Sequence, residues 1–196
     1  MVDFNQIINL RYNRVKPASG RILISDPFQS DQYFERSVVV LIDHNSEGTM
    51  GVVINKPISE KISLKFDEIY LPELQIYQGG PVASSQLFFM HCMGDVVPDS
   101  IALGNDLYWG GSLDTALELF QLNILNKENT RFFWGYAGWS KSQLKEELKR
   151  NSWLIASING ETLFKTEPNK LWEKSIQHLG DDYLAWLTLP IDPAMN

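Results

Sequence analysis

Between Gly20 and Pro57 the chain carries three short runs of β-branched and aliphatic residues joined by turn-type segments. No other stretch limits its fold as tightly. The runs cover residues 21–25, 37–43 and 51–55. The last two are almost unbroken in Val, Leu and Ile, the pattern of strands covered on both faces. Asn45 to Gly48 between them is turn chemistry, so these two strands are expected to form a hairpin.

The remaining pattern mixes further strands with helices. A short helix is predicted over residues 63–70, ended by Pro72, then strands over 74–77 and 87–92 on either side of Gly79-Gly80-Pro81. Two more short strands, 101–103 and 107–109, flank a Gly-Asn-Asp turn. Ser112 is placed to cap a helix whose Leu113, Ala116, Leu117, Phe120 and Ile124 share a face. An aromatic strand over 130–136 leads through a glycine-bounded turn into a helix over 141–150, where Ser140 and Gln143 have capping-box spacing. A strand over 152–157 follows. The last helix starts near Pro168, buries Leu171, Trp172, Ile176 and Leu179, and stops at Gly180. Hairpins alternating with strand–helix–strand units predict a mixed α/β (α+β) domain. Its expected form is one compact unit with a curved mixed sheet flanked by helices. Residues 1–15, where Asp3 and Gln6 again have capping spacing, are expected to be a helical amino-terminal extension, and residues 16–196 a single domain.

At 196 residues the chain can bury about 70% of the surface its unfolded form exposes, so no disulfide or metal is needed to hold it. A net charge of −7 and a pI near 4.9 oppose non-specific binding to a polyanion. The single cysteine, Cys92, excludes an internal disulfide and fits a reducing compartment. The first fifteen residues lack the apolar segment of a signal peptide, and the longest apolar run, 38–42, is too short to span a bilayer. A soluble, cytoplasmic protein without membrane contact is expected.

The residues Gly20, Pro27, Asp31, Phe34, Arg36, Ser37, His44, Gly48, Gly51, Asn55 and Pro57 stand at the spacing of a known pattern. So do the Gly-Gly-Pro-Val of residues 79–82, Gly110-Gly111, the Gly-Tyr-Ala-Gly-Trp of 135–139, the Gln-Leu-x-x-Glu-Leu of 143–148, and Trp153. In these features, over roughly residues 16–186, the chain resembles the AlgH (YqgE) family of bacterial proteins. Asp43, Lys56 and Ser25 depart from the family's usual Glu, Arg and Ala, and the tail from Thr188 differs from its usual ending. The resemblance supports the curved α/β fold. It carries no catalytic residue over, because the family has none established; members are often labelled transcriptional regulators.

Read as chemistry, the residues offer few constellations. The 135–140 turn, entering a helix, is a candidate anion contact through backbone amides at Gly135, Gly138 and Ser140. The alternative is that its glycines allow close packing while Trp139 fills the core. Arg36 and Asn55 are candidate neighbours, Arg36 able to hold a carboxylate or phosphate; the simpler reading pairs Arg36 with Asp31. His44, His91 and His178 lack the short spacings of a metal site, and adjacent His91 and Cys92 point to opposite strand faces, so no metal or cofactor is expected. Cys92 as nucleophile would need His44 brought beside it by the fold. Lys141, Lys145 and Lys149 form a stripe that reads as a solvated helix face. The six tryptophans, all beyond residue 108, suit core packing better than base stacking. No catalytic residue is assigned. Two readings follow. The first is a non-catalytic regulatory or binding protein acting on transcription indirectly, through an unidentified protein partner or a small ligand and without direct nucleic-acid contact. The second is a protein or enzyme that takes a small anionic ligand at the 135–140 loop.

Overall fold

The computed structural model describes residues 15–29, 31–59, 62–66 and 69–189, so the helix predicted over 1–15 lies outside the described residues save for its last position. Nine strands make one sheet. Along its main path they are β11 (Trp153–Ser157), β1 (Arg21–Ser25), β2 (Val38–His44), β3 (Gly48–Val53), β10 (Thr130–Ser140), β7 (Val82–His91), β9 (Leu107–Trp109) and β8 (Ile101–Gly104). β6 (Ile76–Gln78) lies parallel to β10, and every other pairing in the sheet is antiparallel. The predicted hairpin is β2–β3, turning at Asn45, whose N–H bonds to the Gly48 carbonyl.

The alternation of apolar residues sorts the strands onto two buried faces. Ile22, Ile24, Val38, Val40, Ile42, Val52 and Phe133 point to the inner face of the curled sheet. Two helices fill that face: α3 (Gly160–Lys165), through Leu163 and Phe164, and α4 (Pro168–Leu179), through Leu171, Trp172 and Ile176. The intervening Leu23, Val39, Leu41 and Val53 point outward under Leu144 and Leu148 of α2 (Gln143–Lys149). Further round the sheet, α1 (Leu113–Gln121) covers Ile76, Phe89 and Phe132 with Ala116 and Leu117. Each such side chain contributes about 1.5–3 kcal/mol by leaving water, so a sheet covered on both faces needs no covalent staple. On the outer face, one carboxylate oxygen of Glu147 accepts the indole N–H of both Trp139 (2.8 Å) and Trp153 (2.7 Å), satisfying two donors within an apolar layer.

The sheet curls until its two edges approach each other. A Cβ on Gly20, just before β1, would stand 2.0 Å from the carbonyl oxygen of Leu103 in β8. The N–H of Gly160, just after β11, donates to the carbonyl of Asn105 in the β8–β9 turn at 2.9 Å. Among the described residues β8 and β11 share no ladder, so the half-barrel has a seam.

Four sequence expectations need correction. Residues 63–70 are not helical: they belong to a separate hairpin of β4 (Ile62–Phe66) and β5 (Ile69–Leu74). Ile62, Leu64 and Phe66 alternate with the period of a strand, and Pro72 is tolerated because a two-stranded sheet has only edge strands. The strand expected over 74–77 is divided at Gln75, whose amide donates to the carbonyls of Ile58 and Ile76. The strand expected to end at Tyr136 runs on to Ser140, and Ile124 lies past the end of α1. Helix α3 and the 3₁₀ segment Asp181–Thr188 were not foreseen.

Candidate functional site

The residues singled out from sequence fall in three places. Gly135 is a bulge in β10, with φ of +70° and a register shift between Trp134 and Tyr136. A Cβ there would meet the carbonyls of Gly80 and Val82 at 2.6 Å. The two glycine motifs are thus one lock, in which backbone lies directly on backbone. Gly138 and Ser140 continue the strand opposite Met50 and Gly48. The 135–140 segment is therefore not a turn delivering free amides to a helix start. Gly138 and Ser140 border a shallow, open groove that also carries Asp43 and Glu47, a negative surface.

Arg36 and Asn55 lie at the opposite end of the β2–β3 hairpin. Asn55 is five residues along from Met50, about 17 Å at strand rise. The two are joined to each other: Asn55 Nδ2 donates to the Arg36 carbonyl at 2.9 Å while its Oδ1 accepts the Val38 N–H at 2.8 Å. Arg36 has φ of +44°, and the Asn55 bond holds that left-handed turn. Its guanidinium lies 4.9 Å over the Trp172 ring and donates to the Leu189 carbonyl at 2.7 Å. Arg36 is not paired with Asp31 among the described residues; Asp31 accepts the Tyr33 N–H instead. Both side chains are committed to anchoring the chain into β2.

The histidines and the cysteine are also engaged in the fold. His44 bonds Thr49 across the hairpin turn at 2.7 Å, and its strand is separated from that of Cys92 by β3 and β10. Cys92 follows β7, and burial together with Asp106 pushes its thiol up, away from thiolate chemistry. His91 is fully buried, with Nε2 2.9 Å from Ser100 Oγ. The contact has the form of a serine–histidine dyad, but the wiring is reversed. Nδ1 accepts the Met93 N–H, so in the neutral ring the proton sits on Nε2 and the ring donates to Ser100, which itself donates to the Val97 carbonyl. Burial lowers the His91 pKa and keeps it neutral.

Arg131 carried no signal in the sequence. It is buried in β10 and donates to the carbonyls of Ile54 (2.8 Å), Leu163 (3.1 Å) and Thr166 (3.0 Å), tying the end of α3 to the sheet. Its ring neighbours are Tyr77 and Phe164.

A concavity with converging polar groups lies at the seam. A cleft of about 490 Å³ opens between β11, the β8–β9 turn, the start of α3 and the exposed side of α4. Its floor is Ile22, Ala156, Ile158 and Leu171, and its rim presents Asn105, Ser157, Asn159, Thr162 and Gln177 with Lys174 and His178. This volume lies within the roughly 300–1,000 Å³ of small-molecule sites, and the lining has the usual mixture of apolar wall and few polar groups. Local sequence explains the geometry. Asn105 and Asp106 take φ of +53° and +58°, as a two-residue hairpin turn requires, and Asn159 caps α3 through the Thr162 N–H. Lys174 and His178 are four apart on α4. That spacing and the Asn159-Gly160 pair were the available hints, and neither points to a cleft until β8 and β11 are known to meet. Among the described residues no three His, Cys, Asp or Glu side chains converge to hold a metal, and no helix is long and apolar enough to cross a membrane.

Fold and cleft define a curled, nearly closed α/β half-barrel with a helix-lined seam. The chain belongs to the AlgH-like family, whose model matches residues 22–184. A UPF0301 protein of Parabacteroides distasonis is 40% identical over 201 residues, covering 100% of both chains. One from Cytophaga hutchinsonii is 40% identical over 178 residues, covering 90% of this chain and 98% of its own. The solution structure of the AlgH protein from Pseudomonas aeruginosa superposes with a TM-score of 0.67 at 27% identity, over 90% of this chain and 98% of that one. A crystal structure from Corynebacterium diphtheriae shares the fold, with a TM-score of 0.71 at 21% identity over 90% of this chain and 94% of its own.

Proposed function

We propose that this is a non-catalytic binding protein that acts on transcription indirectly, through a protein partner, under the control of a small ligand taken up in the seam cleft. One observation carries the reading: the cleft is lined from both edges of a sheet whose edges are not laddered together. An occupant touching Asn105 on one side and Ser157 and Asn159 on the other adds contacts across the seam. It therefore stabilises the closed form in proportion to RT ln(1 + [L]/Kd). That is how a ligand signal becomes a change of shape or stability that a partner can read. The net negative charge favours a partner protein over duplex DNA as the surface it meets.

Native mass spectrometry of the gently purified chain, together with hydrogen exchange at the Gly160 amide, tests this. A bound small molecule whose removal speeds exchange at Gly160 supports the reading. A chain that carries nothing, and whose Gly160 exchange responds to no small molecule offered, removes it. Sequence-specific duplex binding below micromolar Kd, measured by fluorescence anisotropy at physiological salt, removes the indirect route.

A further inference from the structure

Building on that reading of the cleft, we infer that its ligand is a small amphiphile with one anionic group, held at Lys174 and His178, its apolar body lying over Ile158 and the aliphatic floor of the cleft. The charge of the lining is the first ground. The chain has seven more acidic than basic residues, yet no Asp or Glu lines this cleft and Lys174 does. A local inversion of charge inside a concave, partly apolar wall concentrates the field on an entering anion.

The second ground is that Lys174 is available. The neighbouring Lys170 is tied to Glu173, Lys149 to Glu146 and Lys165 to Glu161, each within one helical turn. Lys174 has no ion pair among the described residues and projects into the cleft rim. His178, one turn further along the same helix, adds a ring nitrogen on the same side. The acidic pair Asp181 and Asp182 begins beyond Gly180, outside the lining.

The third ground is the division of the walls. The floor is aliphatic: Ile158 is half-buried, and Ile22, Ala156 and Leu171 are buried to 1%, 7% and 0% exposure, while the uncharged Asn105, Ser157 and Asn159 stand opposite α4. A fully polar anion such as free phosphate would leave Ile158 uncovered, and a pure hydrocarbon would leave the amide rim without a partner. A molecule with an apolar body and an anionic end satisfies both.

The test uses three probes of matched chain length, octanoate, 1-octanol and octylammonium, titrated into the ¹⁵N-labelled full chain. Octanoate is expected to shift the amides of Ile22, Ser157, Asn159 and Lys174 and to bind at least about fivefold more tightly than 1-octanol, with octylammonium weakest. Lys174→Gln should bring octanoate down to the affinity of 1-octanol and leave 1-octanol unchanged. Ser157→Trp, at the exposed rim, should abolish all three. Equal or tighter binding of 1-octanol at the same amides overturns the anionic assignment and leaves the ligand cleft standing. An octanoate preference that survives Lys174→Gln overturns it too. Should no probe shift the cleft amides, this inference falls, while the ligand cleft stands or falls by native mass spectrometry and exchange at Gly160.

Discussion

The backbone N–H of Gly160 donates to the carbonyl of Asn105 at 2.9 Å, joining the strand edge that ends in β11 to the turn that follows β8. The bond needs a glycine, because a Cβ at 160 would stand 2.6 Å from the Asp106 carbonyl oxygen and 3.0 Å from Cys92 Cβ. Gly160→Ala is expected to push the β8–β9 turn away from α3 and cost about 1–3 kcal/mol. Urea unfolding measures the loss, and amide shifts confined to residues 103–108 and 157–162 would locate it. A variant as stable as the wild type would show that the seam tolerates separation.

Gly135 and Gly138 lie three residues apart in the same strand and are expected to respond very differently. Gly135 has φ of +70° and faces two carbonyls at 2.6 Å, whereas an alanine at 138 would make ordinary contacts of 3.6 and 3.7 Å with Tyr136 and Val82. Gly135→Ala should lose more than about 3 kcal/mol or fail to fold, from positive φ and backbone overlap together. Gly138→Ala should stay within about 1 kcal/mol of the wild type. Thermal melts of the pair decide the matter: similar losses would mean the bulge is not what the glycine motif protects.

Asn55→Ala removes an acceptor from the Val38 N–H and a donor from the Arg36 carbonyl, both in a buried setting. The expected cost is about 1–3 kcal/mol, dominated by the groups left unpaired. Hydrogen exchange at Val38 should accelerate in the variant. An unchanged Val38 amide would mean that the ladder, not Asn55, protects it.

His91 sets a pH dependence. Its ordinary pKa is 6.5, and burial lowers it in the folded chain, the bond to Gly110 opposing weakly. The unfolded chain therefore takes up the proton first. Stability from this residue is complete above about pH 6.5 and falls as pH drops below it, by up to about 1.4 kcal/mol per unit until the folded ring protonates. An NMR titration should show the His91 ring taking up its proton below pH 6.5, with urea midpoints falling over the same range. A ring that titrates at or above 6.5 would contradict this.

Much of the fold was legible because the central strands are short, nearly unbroken apolar runs. Ile22, Leu23 and Ile24 divide between two cores, as do Val38, Val39 and Val40, and that division is what a doubly covered strand looks like in sequence. The helices with N-terminal Ser112 and Pro168 were equally clear, since capping and proline placement are local. What failed was non-local. The 135–140 stretch has the composition of a turn, yet its backbone groups pair with β3, a partner about ninety residues away. Arg36, Asn55 and Arg131 bond to main-chain carbonyls and amides, which carry no sequence signature. The cleft was invisible because Asn105, Asn159 and Lys174 meet only when the sheet curls.

The pairing of Arg21 with Ser157 places β1 between its sequence neighbour β2 and a strand made about 130 residues later. During synthesis at 5–20 residues per second, β1 therefore waits on the order of ten seconds with one apolar edge unpaired. An edge of that kind is where chains join one another by mistake. Expression yield and aggregation of this protein should therefore depend on whatever shields that edge until β11 leaves the ribosome, and a truncation just before residue 153 should aggregate, where one that removes only the tail beyond 189 should not.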